Sequence, residues 1–225
     1  MATRVEFAAK SGEKTSGEIA LPEGRGKAPA VVLVQEWWGL NDHIRSLLAR
    51  LAEAGFVALA PDLYHGRVTA DSAEAMTLMT ELDGERAIDE IQGAVAFLSA
   101  HERSNGKVGI IGFCMGGAFC FRAAARIPEL GAAVPFYGVP DPTKTDYTKV
   151  RAPICAHFAA RDEWAKPERA QAIKEQLDAR GQPMELHIYD ADHAFVNDTR
   201  PEVYNPVAAK LAWDRSIAFL HEHLG

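Results

Sequence analysis

Gly112-Phe113-Cys114-Met115-Gly116-Gly117 stands between an apolar run, Val108-Gly109-Ile110-Ile111-Gly112, and a stretch of small residues from Ala118 to Arg126. A short β-branched run followed by small residues at helical spacing reads as strand, sharp turn, helix. The spacing has a steric reason. A side chain carried on a turn that tight needs small neighbours two residues away on either side, and Gly112 and Gly116 are those neighbours. Such a turn lifts its central side chain above the strand ends. It also aims the N-terminus of the following helix at any anion that develops there. Taken alone, the pattern fits a nucleophile elbow built on Cys114 and, equally, a tight glycine turn that buries a small thiol.

Outward from this turn, the same alternation recurs along the chain. Val31-Val32-Leu33-Val34 and Phe56-Val57-Ala58-Leu59-Ala60 are short apolar runs suited to strands covered on both faces. Ala132–Tyr137, Ile154–Ala159 and Met184–Tyr189 add three more candidates. Helical periodicity marks Asn41–Ala54 through Ile44, Leu47, Leu48 and Leu51, with Gly55 as the stop, and Ala87–Leu98 through Ile88, Ile91 and Val95. Pro167–Ala179 and Pro206–His223 are the later helical segments, and Gly138–Val150 reads as the longest loop. Strands alternating with helices predict an α/β fold, a mostly parallel sheet with helices on both faces. No repeat or linker interrupts it, so residues 1–225 are expected to form one domain.

Downstream residues weigh on the two readings of Cys114. Asp162 follows the strand candidate Ile154–Ala159, and His193 follows Met184–Tyr189. Nucleophile, acid, histidine is the α/β-hydrolase chain order, with each residue after a strand's carboxyl end. A free thiol titrates near 8.5, so Cys114 would need His193 to take its proton, and Asp162 would orient the ring. Asp190-Ala191-Asp192-His193 could be imagined as a metal cluster, but it lacks ligand spacing and reads as a solvated acidic turn. His187 reads as structural. His43, His65, His101, His157, His221 and His223 have no evident partner, and Cys120 and Cys155 read as packing.

Composition excludes several function classes. The 225 residues carry 24 Lys+Arg against 31 Asp+Glu, a net charge of -7, which leaves no excess of positive charge to hold a phosphate backbone, and no nucleic-acid partner is expected. With 48% hydrophobic residues, the chain can bury a full core. No run of about 18 apolar residues suits a membrane span, and the first residues show no secretory h-region. Three cysteines without framework spacing suit reduced thiols, and a cytoplasmic location is expected.

The chain resembles the dienelactone hydrolase family. The resemblance rests on Gln35-Glu36-Trp37-Trp38-Gly39-Leu40-Asn41, Pro61-Asp62-Leu63-Tyr64, Ser104-Asn105-Gly106-Lys107-Val108-Gly109, the cysteine turn, Phe136-Tyr137-Gly138, Asp162 and Asp192-His193-Ala194-Phe195. It runs from about Val31 to the last helix, and the Gln-Glu pair joined to a cysteine elbow is more specific than either alone. The resemblance implies an α/β-hydrolase fold and a cysteine hydrolase that opens dienelactone to maleylacetate during aromatic-compound degradation. It implies Cys114 as nucleophile, His193 as base and Asp162 as orienter. It also implies that Glu36 contacts the resting thiol and helps activate it, and that the N–H groups of Trp37 and Met115 form the oxyanion hole. No metal or organic cofactor is expected, and the partner is a small lactone or ester met by a monomer or weak homodimer.

One departure bears on the substrate. Members of the family hold a substrate carboxylate with arginines, one of them shortly after the histidine, where this chain has Asn197. Arg67 and Arg200 are the candidates to replace them, beside Tyr64 and Phe195 as substrate-binding residues. A broad-specificity esterase with the same triad, and a non-catalytic or redox-sensing thiol protein, remain as alternatives.

Overall fold

In the computed structural model, which describes residues 2–182 and 184–225, eight strands form one sheet. In chain order the elements are β1 (Thr3–Ala8), β2 (Lys14–Ala20), β3 (Ala28–Val34), α1 (Asp42–Glu53), β4 (Val57–Pro61), α2 (Ser72–Glu81) and α3 (Gly84–Ala100). They continue with β5 (Ser104–Phe113), α4 (Met115–Arg126), β6 (Leu130–Phe136), β7 (Ile154–Ala159), α5 (Pro167–Asp178), β8 (Met184–Tyr189) and α6 (Pro206–Leu224). The sheet order is β1-β2-β4-β3-β5-β6-β7-β8. The six strands from β4 to β8 pair in parallel, while β1, β2 and β4 pair antiparallel. This is the mostly parallel α/β sheet the strand–helix alternation predicts, and the α/β-hydrolase architecture the resemblance implies.

Burial on both faces explains the apolar runs. Val31 to Val34 in β3 and Val108 to Phe113 in β5 are all buried. One core packs α1 and α6 on one face of the sheet, and the other packs α3, α4 and α5 on the opposite face. The two leucines of α1 at Leu47 and Leu48 are each almost wholly buried, which stabilises the fold by about 1.5–3 kcal/mol per side chain. Asn41 starts α1 by accepting from the Ile44 N–H at 3.1 Å, and Gly55, at φ 95°, turns the chain back toward β4.

Several elements differ from the sequence reading. The hairpin β1–β2 carries no apolar run: β1 is a mostly exposed edge strand, and β2 buries Thr15 and Gly17 as well as Ile19 and Ala20. Strand β5 starts at Ser104 rather than Val108: its polar start pairs Ala28 with Ser104 before a register shift. Helix α2 buries only Ala75 and Leu78, too few to show a period. Helix α4 begins at Met115, three residues before the small-residue stretch, directly after Cys114. The Gly138–Val150 loop contains two short 3-10 turns, Pro142–Lys144 and Tyr147–Lys149.

The strand order changes direction at β3, whose successor β4 lies on one side and β5 on the other. The carboxyl ends of β3 and β5 therefore open a crevice with no connection crossing it, which is where ligands bind in open α/β sheets.

Candidate active site

Cys114 sits in that crevice with φ 54° and ψ -113°, a backbone conformation a side-chain-bearing residue rarely adopts. The surroundings impose it. The Cys114 N–H donates to the Phe136 carbonyl at 3.1 Å, and its own carbonyl accepts from the Ala118 N–H at 3.2 Å. A Cβ on Gly116 would stand 2.3 Å from the Val34 carbonyl oxygen, so only glycine lets α4 approach the end of β3 this closely. The strain is thus held by the two neighbouring strands, and the half-buried thiol projects over the sheet.

The loops after β7 and β8 bring Asp162 and His193 together. His193 Nδ1 lies 2.7 Å from Asp162 Oδ2, and the carboxylate is 3% exposed. Its other oxygen accepts from the Trp164 and Ala165 N–H groups, each at 2.8 Å. These bonds fix the carboxylate's orientation and supply the donors a buried charge requires. Burial alone would lower the imidazole pKa. Asp162 and the neighbouring Cys114 outweigh it, and the ring is pushed up to about 10.

Glu36, at the turn after β3, is 1% exposed. Its Oε2 accepts from Asn197 Nδ2 at 2.8 Å, while its Oε1 has no partner among the described residues. Asn197 in turn accepts from the Thr199 hydroxyl at 2.6 Å, so a neutral amide ties this carboxylate to the turn after His193. Tyr137, fully buried at φ 32°, sits against these groups. Burial raises its phenol well above the ordinary range, and the charges of Glu36, Cys114 and Asp162 add to the rise. The N–H groups of Trp37, beside Glu36, and Met115, in the first turn of α4, donate to no protein acceptor among the described residues.

A cavity of about 280 Å³ opens over Cys114. Glu36, Trp37, Trp38, Trp164, His193 and Arg200 are among the residues that line it, with Met79 of α2. The other residues expected at the substrate lie elsewhere. Tyr64 is buried beneath the site, its hydroxyl donating to Met115 Sδ at 3.3 Å. Phe195 is wholly buried, its ring 5.4 Å from Tyr137 and 5.2 Å from Tyr189. Arg67 is outside the cavity lining, with its guanidinium 3.7 Å from Glu74 and 3.8 Å from Glu81. Arg200 reaches the cavity, and its Nε donates to Glu202 at 2.8 Å.

Trp164 and Met79 are lining residues without a sequence signal of their own. The capping pattern Asp71-Ser72-Ala73-Glu74 could have marked α2, which carries Met79: Asp71 accepts from the Glu74 N–H at 2.8 Å. The acidic turn before His193 is bound by Arg161, which contacts Asp190 and donates to Asp192 at 3.1 Å.

Several other histidines do have partners. His157 lies 2.9 Å from the Tyr189 hydroxyl and 3.0 Å from Ser216 Oγ, and His65 lies 3.3 Å from Glu90, whereas the His43 ring nitrogens make no hydrogen bond among the described residues. His187 in β8 stacks on His157 in β7. Among the described residues one group, Cys155, Glu185 and His187, has donor atoms close enough to share a metal ion, and it lies on β7 and β8 away from Cys114. Cys120 is buried in α4, and burial raises its thiol well above the ordinary range.

Residues 16–224 match the model of the dienelactone hydrolase family. The chain is 37% identical to the protein usf of Aquifex pyrophilus over 233 residues, covering all of both chains. It is 30% identical to the carboxymethylenebutenolidase of Pseudomonas sp. strain P51 over 222 residues, covering 94% of this chain and 92% of that one. Among solved structures, it superposes on a dienelactone hydrolase-like promiscuous phosphotriesterase from metagenomic libraries with a TM-score of 0.86. That pair shares 26% identity and covers 100% and 99% of the two chains.

Proposed function

Because the chain belongs to the dienelactone hydrolase family, whose members hydrolyse esters and lactones, we propose that Cys114 is its nucleophile, His193 its proton carrier and Asp162 the orienter of His193. The observation that carries this reading is the strained Cys114 turn facing a histidine whose Nδ1 is held at 2.7 Å by a buried carboxylate. The substrate is a small lactone or carboxylic ester. Opening of dienelactone to maleylacetate in aromatic-compound degradation is the reaction the resemblance suggests. The reading includes one domain over residues 1–225, no cofactor, a monomer or weak homodimer, and a cytoplasmic location. No helix among the described residues is long and apolar enough to cross a membrane.

The chemistry balances as two half-reactions. With its proton held by His193 as base, the Cys114 sulfur attacks the carbonyl carbon, and the carbonyl electrons move to an oxyanion held by the Trp37 and Met115 N–H groups. The C–O bond breaks as the protonated His193 gives its proton to the leaving oxygen, and a thioester remains. Acylation removes the charge on sulfur, one of the influences that keep the ring protonated. The now neutral ring takes a proton from water, hydroxide attacks the thioester, and the acid leaves as the thiolate and imidazolium are restored. In a lactone the leaving oxygen stays attached to the product.

The raised His193 pKa fixes the sign of one pH effect. The proton donated to the leaving oxygen is present below about 10 and lost above it. For a neutral ester, kcat/KM is expected to fall as pH rises through about 10, with spontaneous hydrolysis subtracted. A fall already complete by pH about 7.5, one unit above the ordinary histidine value, would remove His193 from that role.

Glu36 gives a second expectation. A carboxylate beside Cys114 opposes negative charge on its sulfur. Glu36→Gln is expected to lower lactone turnover about 10-fold or more, and to raise the iodoacetamide alkylation rate of Cys114 at pH 7. An unchanged rate and an unchanged turnover together would make Glu36 a bystander.

A further inference from the structure

Three indoles stand in a row across the cavity. The rings of Trp37 and Trp38 meet edge to face with centroids 4.9 Å apart, and Trp164 tilts toward Trp37 at 6.1 Å. Trp37 and Trp38 follow β3, whereas Trp164 comes from the loop after β7, two residues beyond Asp162. Trp164 is 65% exposed, although its backbone is pinned by the 2.8 Å bond to Asp162 and the next residue, Ala165, is buried. An indole held in place by its backbone and left facing an open cavity is apolar surface without a partner.

The charges around this wall point the same way. Among the described lining residues Arg200 is the one arginine or lysine, and the His193 imidazolium is paired with Asp162. Glu202 already takes its Nε–H, and its guanidinium carbon stands 5.7 Å from the centre of the Trp38 ring. Arg67 is turned to Glu74 and Glu81 outside the cavity. The buried carboxylate in the cavity, Glu36, has a neutral amide for its hydrogen-bond partner. An anionic substrate would therefore meet Glu36 and two cations, Arg200 and the His193 imidazolium, whose charges are already matched by Glu202 and Asp162.

We infer that the cavity over Cys114 takes neutral aryl esters or aryl-bearing lactones, with the Trp164 indole as the platform on which the substrate ring stacks. The inference rests on the proposed hydrolase reading for the position of the reacting carbonyl. A volume of about 280 Å³ suits a substrate of one or two rings. Stacking between flat rings adds to simple apolar burial, so an aromatic ligand gains over a saturated one of the same skeleton.

Three methyl ketones test this, because each presents a carbonyl and no leaving group: 2-acetonaphthone, 2-acetyldecalin and 6-acetyl-2-naphthoate. Their binding to the whole protein is measured by calorimetry, which needs no turnover. 2-Acetonaphthone is expected to bind several-fold tighter than 2-acetyldecalin, and about tenfold tighter than the naphthoate. Trp164→Ala should weaken 2-acetonaphthone about tenfold and 2-acetyldecalin much less, and Trp164→Phe should restore most of the loss. Tightest binding of the naphthoate would overturn the inference. So would equal weakening of all three ketones in Trp164→Ala without rescue by phenylalanine. Failure of the hydrolase reading has a different signature, ester turnover that survives Cys114→Ala, and the binding order of the ketones does not depend on it.

Discussion

Cys114→Ala is expected to lower the turnover of a neutral ester by about 10⁴-fold or more, with the unfolding midpoint left close to that of the unsubstituted chain. The sulfur supplies the only covalent route in the proposed chemistry. What survives its removal is substrate binding and oxyanion stabilisation acting on an unactivated water. The fold should tolerate the change, because alanine meets the same positive φ at the turn as cysteine does and removes one half-buried atom. His193→Ala should cost about as much as Cys114→Ala, and the double variant little more, since residues acting as one unit do not lose activity additively. Ester hydrolysis and thermal unfolding of the three variants check this. Turnover of Cys114→Ala near that of the unsubstituted chain would remove the nucleophile.

The second large effect is structural in origin. In Gly116→Ala the new Cβ would lie 2.3 Å from the Val34 carbonyl oxygen and 2.7 Å from that of Gln35. Both are backbone atoms, so no side chain can swing aside. Either α4 or the end of β3 must move. The expected cost is about 3 kcal/mol of stability, read from urea denaturation. A further loss of about 10²-fold or more in turnover is expected, because the shift separates Cys114 from the Glu36–Trp37 turn that follows Gln35. Gly26→Ala is the control: a Cβ there meets nothing within 4 Å, and both measurements should stay unchanged. A Gly116→Ala protein with the stability and turnover of the unsubstituted chain would mean that the close approach of helix and strand is not needed.

What could be read from the chain and what could not divides along a physical line. Burial on both faces forces a strand to be apolar throughout, so β3, β5, β6 and β7 announce themselves as short Val/Ile/Ala runs. Helices that bury one stripe repeat at 3.6 residues, and α1 and α3 are legible for that reason. The local chemistry of a turn is likewise local in sequence. The glycines flanking Cys114, and the strand ends preceding Asp162 and His193, therefore fix the chain order of the candidate triad. Elements that bury little carry no such pattern, as in β1 and α2, and β2 fills half of its buried positions with Thr15 and Gly17, which is why all three escape notice.

Contacts between distant loops belong to the tertiary structure alone. The pairing of Asn197 with Glu36 spans 161 positions, and no spacing rule relates residues so far apart. The same holds for the partners of the arginines. Arg67 and Arg200 look alike in sequence, yet α2 turns one toward Glu74 and Glu81, while the turn after His193 brings the other to the cavity beside Trp38. Tyr64 and Phe195 stand next to recognisable motifs, but packing sends both rings into the interior. The sequence by itself determined the order of strands and helices and the residue types at the strand ends, because burial and steric limits act on neighbours along the chain. Only the tertiary structure decided which side chains face the cavity and which charges are already matched, because those depend on where separate loops meet.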